Sequence, residues 1–130
     1  MRALVAVPDL LFQSRIDGAL RALGIAWDAV GPGADAGGGE REAGLLVVDL
    51  QAEGVDAPAL VRGAKARGGV VLAFGRHTDA AALRAARDAG ADIVVARSQL
   101  AEELPELLDR LLAAAGWTGA GGARGGVDEN

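Results

Sequence analysis

Five residues, Leu45-Leu46-Val47-Val48-Asp49, constrain the fold more than any other stretch of this chain. Four large apolar residues follow one another without alternation and stop on a carboxylate. A run so short and so uniformly apolar suits a strand covered on both faces, as in the middle of a parallel sheet. Open α/β sheets place their ligand crevice beyond the carboxyl ends of the strands. Asp49 is therefore expected at that edge, and its neighbours decide what it can do.

With 130 residues the chain is long enough for one domain with a real core. No run approaches the roughly 18–20 apolar residues that span a bilayer. Pro8-Asp9 ends the first apolar run too early for a secretory leader. The expectation is a cytoplasmic protein with no membrane contact. The chain has no cysteine and one histidine, so thiolate chemistry is excluded and a histidine metal site is not expected. Its net charge is −5 and its arginines are scattered among acids. Phosphate backbones need clustered Lys and Arg, so a nucleic-acid partner is not expected.

Ala3 to Val7 reads as the first strand, closed by Pro8, with Asp9 placed to cap the next helix. In that helix Phe12, Ile16, Ala19, Leu20 and Leu23 share one face, and Leu10 and Leu11 lie beside it at the first turn. Gly24 ends it. Ile25 to Val30 is a second strand. Residues 31–39 are too glycine-rich for a stable helix, leaving at best one turn over Glu40 to Ala43. After Asp49, a helix from about Ala57 to Arg67 carries Pro58 in its first turn and turns Leu60, Val61 and Ala64 inward. Val70 to Phe74 is another fully apolar strand, ending at Gly75-Arg76-His77. Thr78 is expected to cap a helix over Asp79 to Ala89, and Asp92 to Ala96 form the fifth strand. Arg97-Ser98 leads into a last helix. Pro105 predicts that its regular part starts near Glu103, with Leu104, Leu107, Leu108, Leu111 and Leu112 on one face. Residues 116–130 are Gly-rich and aperiodic, so a tail without fixed structure is expected after a domain over 1–115. The alternation of strand and helix predicts an α/β domain: a doubly wound, five-stranded parallel sheet in three layers, with a reduced second helix.

Over roughly residues 2–115 the sequence resembles the receiver domain of bacterial response regulators, whose fold is flavodoxin-like. Leu4-Val5-Ala6-Val7 matches the first strand and Leu45-Leu46-Val47-Val48-Asp49 the third. Ala85 to Arg97 matches an Ala-Gly-Ala-Asp followed by a strand that ends on a base. The resemblance implies a signalling role and makes Asp49 equivalent to the phosphoacceptor. It also implies an acidic pair after the first strand that helps hold Mg²⁺, a hydroxyl residue ending the fourth strand, and Lys-Pro ending the fifth. This chain has Val7 and Pro8, with Asp9 one step further on, then Gly75, then Arg97 and Ser98. Val7 and Pro8 carry no side-chain oxygen, while Mg²⁺ demands near-octahedral oxygen ligands. Gly75 has no hydroxyl, and the planar fork of Arg97 favours bidentate contact with a carboxylate.

Three readings follow. The first is a degenerate receiver (a pseudo-receiver) that binds other signalling proteins without depending on phosphorylation, is not an enzyme, and uses no cofactor. In it Asp49 pairs with Arg97 across the strand ends. The second is a working receiver, phosphorylated on Asp49, in which Asp9 and Asp49 bind Mg²⁺ and Arg97 replaces the lysine. The third is a small-molecule or anion-binding regulatory domain using Arg76, His77 and Arg97. Gly31-Pro32-Gly33 lacks the rest of a dinucleotide fingerprint. A loop histidine such as His77 is more often solvated than pH-sensing. Leu10, Leu11, Arg76 and His77 form a candidate interaction patch. The alanines of the helix before the fifth strand (Ala81, Ala82, Ala85, Ala86 and Ala89) and the leucines of the last helix suggest a homodimer through the last helices.

Overall fold

The computed structural model describes residues 1–32 and 44–116. Along the chain run β1 (Arg2–Ala6), α1 (Leu10–Ala22), β2 (Ala26–Ala29), β3 (Leu45–Asp49), α2 (Ala57–Ala66), β4 (Val70–Gly75), α3 (Ala80–Ala89), β5 (Ile93–Ala96) and α4 (Arg97–Ala114). The five strands form one sheet in the order β2-β1-β3-β4-β5, every neighbouring pair parallel. The expected turn over Glu40 to Ala43 and the expected tail after Gly116 lie outside the described residues.

Successive strand residues face opposite sides, and the sheet splits its apolar residues accordingly. Leu45 and Val47 join Val5, Val7, Leu72 and Phe74 in a core beneath α1 and α4. Leu46 and Val48 join Leu4, Ala6, Val71 and Ala73 in a second core beneath α2 and α3. All five residues of β3 are buried, as a strand covered on both faces requires. The same alternation aims Asp49 at the α1–α4 side.

One local expectation, the cap of α3, is corrected. The cap of α3 is Asp79, whose side chain accepts the Ala82 N–H at 3.1 Å, and not Thr78. Both residue types cap well, and the neighbouring helix register selects the one nearer the first turn. Gly90 closes α3 with φ +111°, a left-handed conformation that side chains rarely tolerate. Helix begins at once at Arg97, and non-helical Glu103 (φ −123°, ψ 20°) divides α4 in two, so its regular part starts just after Glu103 with Pro105 in the first turn, as expected. Pro105 explains the break: it has no N–H to offer the carbonyl of Ala101, four residues back. Arg15 of α1 supplies the missing donor, its Nη2 lying 3.0 Å from the Ala101 oxygen.

The surfaces expected for self-association are also changed. Leu100, Leu104, Leu107, Leu108, Leu111 and Leu112 are all buried, so α4 keeps no leucine to spare for a partner. Ala86 lies wholly inside, and Ala89 packs against the α2–α3 core. The alanines of α3 form its inner face as much as its outer one.

On the edge strand β2, Trp27 is half-buried and donates its indole N–H to Asp17 Oδ1 at 2.7 Å. Arg21 Nε donates to the other carboxylate oxygen at 2.8 Å. The indole hydrogen bond, followed by that of Arg21, holds the Asp17 carboxyl below its ordinary 3.8. A depressed folded-state pKa gives stability that is present above the unfolded value and lost as pH falls through the folded one. Urea midpoints should therefore decline below about pH 3.8, and Asp17→Asn should remove that part of the decline. Parallel pH profiles for the two proteins would rule the assignment out.

Candidate functional site

Register brings the site together before any side chain is considered. Asp49 ends β3 directly beside Phe74 of β4, and Gly75 pairs with Ala96, the residue before Arg97. Arg97 Nη2 lies 2.9 Å from Asp49 Oδ2. Its guanidinium carbon stands 5.1 Å from the ring centre of Phe12 and 5.4 Å from that of Phe74. The two rings meet each other at 5.6 Å, tilted by 44°. A guanidinium within about 6 Å of an aromatic face is attracted by the ring quadrupole, so three groups fix Arg97 in one place. Asp49 Oδ1 accepts the Gln51 N–H at 2.9 Å, which turns the chain sharply after β3.

Asp49 is only 3 % exposed, whereas 31 % of the Arg97 side chain faces water. Desolvation of a buried pair offsets much of its attraction, so the pair need not add net stability. Breaking it is another matter, because the surviving carboxylate would stay buried without its cation.

Asp9 is committed elsewhere: its Oδ1 accepts from Leu11 N at 2.9 Å and Phe12 N at 3.2 Å as the cap of α1. Val7 is buried, Pro8 is exposed, and neither offers a side-chain oxygen. The Val7 carbonyl accepts from Gln13 Nε2 at 3.1 Å. Among the described residues no three His, Asp or Glu side chains gather where an ion could sit. The donors present at this edge do not suit Mg²⁺, which takes several oxygens in octahedral array.

The loop after β4 is held from β3. Gln51 Oε1 accepts the Arg76 N–H at 2.8 Å, and Gln51 Nε2 donates to Asp79 Oδ2 at 3.0 Å. Gly75 makes room for this, since a Cβ there would lie 2.8 Å from Gln51 Oε1 and 3.2 Å from Leu50 Cβ. Nothing about a glutamine two residues past an aspartate marks it in sequence, and Gln51 was not among the expected site residues. Nor were Phe12 and Phe74 expected around Arg97.

Outside the ion pair lies a groove of about 440 Å³ whose walls include Phe12, Arg76, His77, Arg97, Ser98 and Ala101. Leu10 and Leu11, 75 % and 79 % exposed, stand on the same first turn of α1 as Phe12. Of the expected patch, all four residues are on the surface.

No family model and no curated protein matches the sequence. Solved structures do match the fold. The receiver domain of a Francisella response regulator aligns with a TM-score of 0.66 and 15 % identity, over 87 % of this chain and 97 % of that one. The receiver domain of a Pseudomonas aeruginosa sensor histidine kinase, with magnesium coordinated in its active-site cleft, gives 0.68 and 19 %, over 86 % and 97 %. The beryllofluoride-activated NtrC4 receiver domain dimer gives 0.71 and 17 %, over 88 % and 98 %. The chain therefore has the receiver fold, a five-stranded parallel α/β sheet covered on both faces.

Proposed function

We propose that this chain is a degenerate receiver, a non-enzymatic signalling module of the cytoplasm that acts by contact with other signalling proteins and does not depend on phosphorylation of Asp49. One observation carries the reading: both carboxylate oxygens of Asp49 are already bonded by the chain itself, Oδ1 by Gln51 N–H and Oδ2 by Arg97. A phosphoryl group arriving there would have to displace an arginine held against two ring faces. It would also do so without the carboxylates that hold Mg²⁺ beside it, since Val7 and Pro8 cannot serve and Asp9 caps α1.

The contact surface in this proposal is the edge bearing Leu10, Leu11, Arg76 and His77, next to the groove over Arg97. A homodimer through α3 and α4 would have to use their outer, mostly polar faces, because the leucines of α4 are inside. No helix among the described residues is long and apolar enough to cross a membrane.

The test is chemical. Incubated with Mg²⁺ and acetyl phosphate, the intact chain should keep its mass. A stoichiometric phosphoryl adduct that disappears in Asp49→Asn would overturn the proposal in favour of a working receiver.

A further inference from the structure

We infer that Gln51 sets the conformation of this edge: its side-chain amide fastens the β3–α2 loop to the β4–α3 turn and so presents Arg76, His77 and Thr78 in one arrangement without a covalent signal. This deepens the phosphorylation-independent reading and rests on it.

The bonds form a continuous path. Asp49 Oδ1 fixes the Gln51 backbone N–H at 2.9 Å. The Gln51 side chain then reaches across to accept from Arg76 N at 2.8 Å and donate to Asp79 Oδ2 at 3.0 Å. Asp79 passes the constraint on, because its other oxygen caps α3 through the Ala82 N–H at 3.1 Å. The Leu50 N–H on the Phe74 carbonyl, at 2.8 Å, holds the two loops together beneath. An amide is suited to this position because it carries an acceptor and a donor on one planar group. Here one end meets a backbone donor and the other a carboxylate. Arg76, His77 and Thr78 are exposed, and the first two belong to the proposed contact surface.

Gly75 completes the device. Any side chain there would press its Cβ to 2.8 Å from Gln51 Oε1. The amide is the free end of a flexible chain, so it would swing out and give up both bonds. Gly75→Ala should therefore imitate Gln51→Ala, although the two substitutions share no chemistry.

Residue-resolved amide exchange on the full chain tests this. In Gln51→Ala the Arg76 amide should exchange on the order of tenfold faster, with a smaller increase at Ala82, while β1 and β3 keep their protection. Gly75→Ala should do the same, and combining it with Gln51→Ala should add little to either. Gln51→Glu should loosen the turn by setting a carboxylate against Asp79. Adding Asp79→Asn to Gln51→Glu should restore protection, the new amide donating in the reverse direction while its oxygen still caps Ala82. Three outcomes would overturn the role given to Gln51: an Arg76 amide unmoved by Gln51→Ala, additive effects of Gln51→Ala and Gly75→Ala, or no recovery when Asp79→Asn joins Gln51→Glu. A phosphoryl adduct on Asp49 of the unmodified chain would instead overturn the reading beneath it, so the two failures are separable.

Discussion

Arg97→Ala should destabilise the fold by about 3 kcal/mol, the lower end of the range for removing one partner of a buried ion pair. The lower end applies because about a third of the Arg97 side chain is solvated, whereas Asp49 is almost wholly enclosed. The alanine leaves a carboxylate in the core edge whose one remaining side-chain bond among the described residues is to the Gln51 N–H. It also removes the cation that lies over the Phe12 and Phe74 rings, a loss of roughly 0.5–1 kcal/mol at such partly exposed sites. Asp49→Asn should be milder, since a neutral amide can sit beside an arginine that still reaches water. The double variant should then cost clearly less than the sum of the two, with a coupling of about 1–3 kcal/mol. Urea unfolding of the four proteins measures this. Additive effects, or a loss under about 1 kcal/mol for Arg97→Ala, would mean that the pair is a surface contact of the kind that contributes little. Arg97→Lys should recover only part of the loss, because a point charge lacks the planar fork that bonds a carboxylate while resting against two rings.

Whether that pair existed was within reach of the sequence, because both residues follow apolar strands and such strands end at one edge. What holds Arg97 in place was not. Phe12 sits on the first turn of a helix whose periodic stripe already accounts for it, and Phe74 closes an apolar strand, so each looks like ordinary core. Only the sheet order, with β1 between β2 and β3, brings α1 over the end of β4. The central strand was legible because its composition allows one environment alone. Helix starts were less so where two good caps adjoin, as with Thr78 and Asp79. The turn from Arg97 to Glu102 was hidden behind Pro105, because a proline read locally marks a beginning. The carbonyl it leaves without a donor, at Ala101, is rescued by Arg15 from another helix, and that is tertiary information. Gln51 lies at the far end of this scale: its importance comes from an absence, the missing side chain of Gly75.

Phe74 is where core and site are the same residue, and it should show the largest loss of all. It is completely buried, and Phe→Ala at such positions removes about 3–5 kcal/mol through lost transfer energy and an unfilled cavity. That figure alone would say nothing of the site. Phe74→Leu separates the two roles, since it keeps an apolar filling, typically within about 1.5 kcal/mol, but removes the aromatic face under Arg97. If the ring matters to Arg97, the Asp49–Arg97 coupling measured by the same four-protein cycle should shrink by roughly 0.5–1 kcal/mol in the leucine background. The exposed remainder of the guanidinium should then become more mobile toward the groove. A coupling unchanged by leucine would reduce Phe74 to a packing residue and leave Phe12 and Asp49 to hold the arginine. Because Phe74 also accepts the Leu50 N–H through its backbone carbonyl, a bond that leucine preserves, any fall in coupling would belong to the ring itself.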